Sequence, residues 1–217
     1  TVAYSADFPG VVRQRWREAY PRSVCMYLNG AAGDISTRDF RREQTFVEVE
    51  RLGTLLAQQA FSLSETLATG DAALHWNAVA IDLPLRPLSV AVLPNMAADP
   101  ADRRAQAQAE GAAIAAQLAA AFHGRAFTQA TLSALHIGGW TLLSVPGEPF
   151  NALAARIRNV SAQALVIGYA NDYLGYFPTQ TAIDASTYEA LSSPYDARAL
   201  ALTETHLTAL LRHTGSF

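Results

Sequence analysis

Three polar, glycine-rich loops carry the residue types that could do chemistry in this sequence. They span residues 29–36, 144–150 and 168–179, and the pair Tyr188 and Glu189 follows the third. Each loop comes after a short run of residues typical of a strand. Because loops at strand ends are common positions for catalytic groups, these three segments are the candidate active-site elements.

Each loop has a functional and a structural interpretation. Small residues in the first loop could leave room for a substrate beside Ser36, or Asp34 and Ser36 could simply cap the next turn. Glu148 follows a Pro-Gly turn, where a carboxylate could hold a metal or act as a base, or sit favourably in the first turn of a helix. The four tyrosines of and after the third loop could hydrogen-bond an oxyanion, ligate a metal as phenolate, or pack as aromatics.

Several catalytic patterns are absent from the sequence. It has no Gly-x-Ser-x-Gly elbow and no phosphate-binding loop. Its five histidines form neither His-x-His nor His-Glu-x-x-His, and the single cysteine, Cys25, can form no internal disulfide. A complete zinc site, which usually takes three protein ligands, cannot be read from this chain alone.

Composition excludes other classes of protein. The 217 residues are 50% hydrophobic and 16% charged, which is a globular composition. A net charge of -3 disfavours a nucleic-acid binder, which usually shows a basic patch. No apolar run reaches the length of about 18 residues that a membrane span needs.

The hydrophobic pattern predicts a mixed α/β fold, with helices packed on a sheet. We expect strands over 24–28, 74–84 and 165–169, and two strands within 127–145 joined by Gly138-Gly139. We expect helices over 11–19, 45–67, 102–122, 150–157 and 196–212. The segments 85–100 and 171–184 are predicted to be loops, and 146–149 a turn.

Taken together and in order, these motifs resemble the catalytic domain of neutral/alkaline ceramidases and their shorter bacterial relatives. The matching segments run from residue 1 to about 195. They are Ser-Ala-Asp-Phe-Pro-Gly at 5–10, Asn-Gly-Ala-Ala-Gly-Asp-Ile-Ser at 29–36, Pro-Gly-Glu at 146–148, Gly-Tyr-Ala-Asn-Asp-Tyr-Leu-Gly-Tyr-Phe-Pro-Thr at 168–179, and Tyr-Glu at 188–189.

The resemblance implies zinc-dependent hydrolysis of a linear amide, such as an N-acyl sphingosine. In this family two histidines, a glutamate and a tyrosine hold the zinc, and the last two correspond to Glu148 and Tyr176. Tyr188 matches the tyrosine that stabilises the oxyanion, and Ser36 matches a serine proposed as nucleophile or as a water-orienting group. Residues expected to support the substrate or the loops are Asn29, Gly33, Asp34, Asn171 and Tyr173.

Two departures indicate a relative with its own substrate. The family continues its serine with Pro-Asn, whereas this chain has Thr37 and Arg38. The family's Tyr-Glu-Gly ends here in Ala190.

The two zinc histidines of the family lie upstream of every segment matched here. We therefore expect residues 1–217 to form the C-terminal half of one catalytic domain, incomplete without its N-terminal half. Its partners would be that half of the same precursor and an N-acyl amide, with contact at most with a membrane surface. The sequence leaves the oligomeric state open, and we expect a secreted or periplasmic rather than a cytoplasmic location.

Two alternatives stay open at this point. Thr1 could be the nucleophile of an N-terminal nucleophile hydrolase, in which its free amine acts as the base; such a Thr1 would lie ordered in a polar cleft. The chain could also be a non-catalytic relative that serves as a binding domain. In that case Glu148 and Tyr176 would fail to converge, or would be engaged in unrelated hydrogen bonds.

Overall fold

The computed structural model describes residues 4–65, 71–87 and 102–212. The chain divides into two compact units. The first unit is Thr1–Leu28 with Ser36–Asp71, and the second is Asn29–Ile35 with Ala72–Phe217. Each unit is described by itself. The prediction of one catalytic domain over the whole chain stays a prediction.

A helical pair forms the described part of the first unit. Helix α1 spans Asp7–Ala19, a short 3-10 helix spans Thr37–Asp39, and α2 spans Phe46–Ser64. The two long helices pack closely because Gly53 of α2 has no side chain: a Cβ there would collide with Val11 and with the Phe8 carbonyl. Both helices were predicted, and α1 begins before the predicted start at residue 11.

The predicted strand over 24–28 is wrong. The segment is irregular, with Val24 88% and Met26 78% exposed, and Cys25 only partly buried. A strand requires a neighbouring strand, and in the described part of the chain no ladder includes this segment. Its apolar composition predicted burial but could not reveal whether a partner strand was available.

A buried carboxylate in the first unit gives its stability a defined pH dependence. Glu48 accepts hydrogen bonds from the Arg51 side chain at 2.8 and 2.5 Å and from the Arg42 backbone N–H at 2.9 Å. The Arg51 bonds, then the Arg42 bond, lower the pKa of Glu48 from 4.5 to about 2. The ionised form therefore stabilises the folded state above the unfolded pKa, and this contribution disappears as the pH falls through the folded one.

We expect the thermal midpoint to fall as the pH is lowered from about 4.5 to about 2. Glu48→Gln should reduce that fall, since an amide does not titrate. Glu43→Gln, which removes an exposed carboxylate from the same segment, is the control and should keep the wild-type profile. Scanning calorimetry across this range measures the effect, and superimposable profiles for Glu48→Gln and wild type would contradict it.

The second unit contains a sheet, a short ladder and five helices among its described residues. The strands are β1 Leu74–Pro84, β2 Phe127–Ile137, β3 Trp140–Ser144, β4 Glu148–Pro149, β5 Ala164–Ile167 and β6 Tyr176–Phe177. The helices are α3 Arg103–Ala121, α4 Asn151–Val160, α5 Gln180–Asp184, α6 Tyr188–Leu191 and α7 Ala197–Arg212.

The four-stranded sheet is mixed and has the order β1-β2-β3-β5. Strands β1 and β2 pair antiparallel, as do β2 and β3, whereas β3 and β5 pair parallel with α4 as the crossover. Helices α4 and α7 contact the sheet and each other. Their shared core includes Leu83, Leu132, Leu143, Leu153, Ile157 and Leu207, each with 0% exposure. The predicted α/β fold with a mixed sheet and packed helices is confirmed.

The predictions for two connecting segments need correction. Strand β4 lies in the expected turn over 146–149, and β6 and α5 lie in the expected loop over 171–184. Both strands have only two residues, too few to show an alternating pattern in sequence. Pro94, Pro100 and the predicted end of the second helix beyond residue 65 fall outside the described residues.

Candidate active site

A two-stranded parallel ladder sets Glu148 beside Tyr176. Strand β4 pairs with β6, and the register makes these two residues direct partners. The Glu148 N–H donates to the Gly175 carbonyl at 2.9 Å. Since side chains of directly paired residues lie on the same side of a ladder, the carboxylate and the phenol share one face.

Two further tyrosines hydrogen-bond the Glu148 carboxylate. The Tyr169 hydroxyl donates to Oε2 at 2.7 Å, and the Tyr173 hydroxyl donates to Oε1 at 2.6 Å. The two rings stack with their centroids 6.0 Å apart and their planes 12° from parallel. Both carboxylate oxygens therefore have a phenolic donor.

The surroundings of this carboxylate keep the phenols protonated. Burial raises the pKa of Tyr176 above its ordinary value, and the nearby Glu148 charge raises it further. Burial also raises the pKa of Tyr169 and of Tyr173, and for these two the hydrogen bond to Glu148 is the next cause. A phenolate at Tyr176 would therefore need the compensating charge of a cation.

Tyr188 lies beside Tyr176. It is the first residue of α6, and its ring meets the Tyr176 ring edge to face, with centroids 6.2 Å apart and planes at 77°. Thr187 caps this short helix through its side chain. The third loop, residues 168–179 and called the tyrosine loop below, thus meets the Tyr188-Glu189 pair around Tyr176.

Asn171 anchors the tyrosine loop to the sheet. Its Nδ2 donates to the Ser144 hydroxyl at 2.9 Å, and the Ser144 and Ser133 hydroxyls are 2.5 Å apart. Its backbone is left-handed, with φ of 75°, a conformation that asparagine tolerates better than most residues. These contacts tie the loop to the sheet, and the support role of Asn171 stays a prediction.

The residues predicted in the first loop contact the third loop, the segment that carries Glu148 and the start of α4. Asn29 accepts a hydrogen bond on its carbonyl from Gly168 N at 3.0 Å, and Gly33 N donates to the Pro149 carbonyl at 3.0 Å. Asp34 Oδ1 accepts from the first N–H of α4, that of Asn151, at 2.6 Å. Asp34 therefore caps α4, a helix distant in sequence, and not the turn that follows it as its structural interpretation supposed.

Gly33 is fixed by the close approach of Glu148. A Cβ at Gly33 would collide with the Glu148 carbonyl and approach Phe150 to 3.1 Å. We expect Gly33→Ala to cost about 1–3 kcal/mol of unfolding free energy, because one of the two backbones has to move. Gly30→Ala is the matched control in the same loop, since its Cβ would meet only the Val166 carbonyl at 3.8 Å. Urea denaturation compares the two variants, and equal midpoints would count against this packing.

Ser36 belongs to the first unit and caps its 3-10 helix. Its Oγ accepts from Arg38 N at 3.2 Å, and the side chain is exposed. The structural interpretation of this serine as a cap is therefore observed, and the hydroxyl keeps its own proton to donate. Thr1, the rival nucleophile, lies outside the described residues.

The residues present fit part of a zinc site. Glu148 and Tyr176 offer a carboxylate and a phenol oxygen on one face, both suited to a divalent cation. Within residues 4–65, 71–87 and 102–212, no group of three or more His, Cys, Asp or Glu is arranged to hold a metal. Two oxygen donors are fewer than the three protein ligands usual for catalytic zinc.

The fold of the chain is similar to that of part of two solved ceramidases. It matches the crystal structure of neutral ceramidase from Pseudomonas aeruginosa with a TM-score of 0.65 and 16% identity, over 98% of this chain and 41% of that one. It also matches a ceramidase complexed with C2, with a TM-score of 0.64 and 14% identity, over 98% and 43%. The chain thus spans less than half the length of either. No protein-family model and no curated protein matches the sequence.

The sequence indicated no individual role for Tyr169 and no role for Ser133 or Ser144. Tyr169 stood inside the tyrosine-rich segment, but nothing in the sequence indicated which of those phenols would reach Glu148. The two serines lie on adjacent, paired positions of β2 and β3 and support Asn171. An alternating polar residue on a strand was the only available signal for either serine.

Proposed function

We propose that this chain is the C-terminal part of a zinc-dependent amidase of the neutral ceramidase type, which hydrolyses a linear N-acyl amide. The observation that carries the proposal is the direct pairing of Glu148 with Tyr176 in the β4–β6 ladder. The alternative of a non-catalytic relative predicted that these two residues would fail to converge, and they are direct partners in the ladder. The ceramidase-like fold over 98% of the chain supports the same class of enzyme.

Glu148 and Tyr176 would hold the zinc together with two histidines contributed by the N-terminal half of the precursor. Bound zinc would polarise the amide carbonyl and make water available as a nucleophile near neutral pH. The described residues supply only two oxygen ligands, so the proposal requires that second polypeptide segment. The proposed location of the enzyme is secreted or periplasmic.

Tyr188 and Ser36 are the proposed groups that act on the substrate. Tyr188 would donate its hydroxyl to the oxygen that becomes negative during attack, beside the Tyr176 ring that it contacts. Ser36 would orient the attacking water or assist attack directly. The acyl group of the substrate would be an apolar chain, as in a ceramide-like substrate.

A substrate panel tests this proposal on the complex of this chain with its N-terminal half. We expect release of fatty acid from N-acyl sphingosine or from a related linear N-acyl amide. A peptide and a simple ester of the same chain length serve as comparison substrates. Hydrolysis of the ester or peptide with no hydrolysis of any N-acyl amide would contradict the proposed reaction.

A further inference from the structure

Two phenols bracket the Glu148 carboxylate, one on each oxygen. We propose that Tyr169 and Tyr173 are positioning residues that fix the orientation of this carboxylate toward a bound cation. The inference rests on the proposed function; it adds Tyr169 to the site and gives a defined role to Tyr173, which was expected only as a supporting residue. The terminal torsion of a glutamate has a broad distribution, so an unsupported carboxylate would rotate freely. Donors at 2.7 Å on Oε2 and 2.6 Å on Oε1 remove that freedom.

The backbone holds both phenols in place before any cation binds. Tyr169 N donates to the Gly147 carbonyl at 2.8 Å, and Leu174 N donates to the Pro146 carbonyl at 2.8 Å. The loop is therefore tied on both sides to the residues that directly precede Glu148. The stacked rings of Tyr169 and Tyr173 support each other.

Tyr169 holds an unfavourable backbone conformation at this position. Its φ is 56°, in the left-handed region that residues other than glycine rarely adopt. Such conformations persist where the surroundings enforce them, and they concentrate at functional sites. Here the conformation accompanies the hydrogen bond of the Tyr169 hydroxyl to Glu148.

The two hydrogen bonds leave the carboxylate able to bind a cation. An ionised carboxylate has about four lone-pair positions on its two oxygens, and each phenol takes one. These two phenols therefore leave other positions on the carboxylate, whose rotation is already restricted. Hydrogen-bond partners of ligating carboxylates typically change metal affinity by about 10–100-fold when they are removed.

Phenylalanine variants separate this role from simple packing. Tyr169→Phe and Tyr173→Phe keep the stacked rings and delete one donor each. If the tyrosines matter only as packing residues, both variants retain the cation affinity of the wild-type chain. If they position Glu148, both lose affinity while remaining folded.

The test titrates the 217-residue chain with terbium(III), a hard, oxygen-seeking cation whose luminescence is excited through nearby tyrosines. The midpoint is measured rather than the intensity, because removing a tyrosine also removes a sensitiser. Glu148→Gln defines the signal that depends on this site. Tyr20→Phe, in the first unit, is the matched control for loss of a phenol.

We expect Glu148→Gln to abolish the saturable component and Tyr20→Phe to leave its midpoint unchanged. Tyr169→Phe and Tyr173→Phe should each raise the midpoint about 10–100-fold, with circular dichroism like that of the wild type. If one of these variants unfolds, the midpoint of the other tests the inference, because each phenol donates to a different oxygen of Glu148.

Unchanged midpoints in the phenylalanine variants would overturn the inference, as would luminescence that is the same in Glu148→Gln and wild type. The result is separable from the proposed function. A chain with the expected midpoints whose assembled enzyme hydrolyses no amide contradicts the proposed function alone. Amide hydrolysis with unchanged midpoints contradicts the positioning role alone.

Discussion

Glu148→Gln is expected to reduce amide hydrolysis by the assembled enzyme more than about 100-fold, which exceeds the usual effect of losing a group that only supports a metal ligand. The amide keeps the size of the carboxylate but removes its charge, and therefore a proposed zinc ligand. The β4–β6 ladder should survive, because its hydrogen bonds are made by the backbone. Steady-state kinetics with an N-acyl amide measures the loss.

A matched control separates loss of this ligand from loss of any carboxylate. Glu110→Gln removes an exposed carboxylate from α3 in the same unit and should retain wild-type kinetics. Thermal unfolding of both variants shows whether they are folded. Wild-type turnover in a folded Glu148→Gln enzyme would remove Glu148 from the catalytic site.

Gly147→Ala is expected to have the largest effect on folding. Gly147 has φ of 155°, and a Cβ there would collide with the Gly175 carbonyl and lie 2.9 Å from the Phe177 ring. The backbone conformation costs a residue other than glycine about 1–3 kcal/mol, and overpacking costs about 1–3 kcal/mol more. Against a total stability of about 5–15 kcal/mol, such a loss threatens folding of the whole unit.

Urea unfolding of Gly147→Ala and Gly139→Ala provides the comparison. Gly139 has no atom within 4 Å of its would-be Cβ, so its variant should unfold near the wild-type midpoint. The Gly147 variant should unfold at much lower urea or fail to fold. Equal midpoints would mean that the approach of the Gly147 turn to Gly175 carries little energy.

Much of the second unit could be predicted because its elements have clear local signals. The alternation over 74–84, the Gly138-Gly139 turn and the proline-free stretch over 102–122 each correspond to an observed element. The order of the strands in the sheet could not be predicted from these signals. The parallel pairing of β3 with β5 depends on contacts between distant residues, which periodicity does not encode.

The candidate site was predictable as a set of motifs but not as a geometry. The residues of the motifs and their order along the chain indicated Glu148 and Tyr176 as metal ligands. Only the ladder shows that these two residues are paired. No sequence signal singled out Tyr169, whose proposed role accompanies a left-handed backbone conformation. The failed strand over 24–28 has a related cause: its apolar residues suggested burial, but Val24 and Met26 are exposed, and no described strand pairs with the segment.

The length and hydropathy of the helices bear on whether the chain could span a membrane. Among the described helices, none is both long and apolar enough to span a bilayer. The N-acyl substrate and any contact with a membrane surface remain proposals.

The most direct test of the proposed zinc site is the metal content of the complex formed by this chain and its N-terminal half, purified without added metal. Native mass spectrometry should find about one zinc per complex, as expected for a single catalytic site. That zinc should be lost in the double variant Glu148→Gln, Tyr176→Phe. Stoichiometric zinc that persists in the double variant, or an amidase complex that contains no metal, would contradict the account.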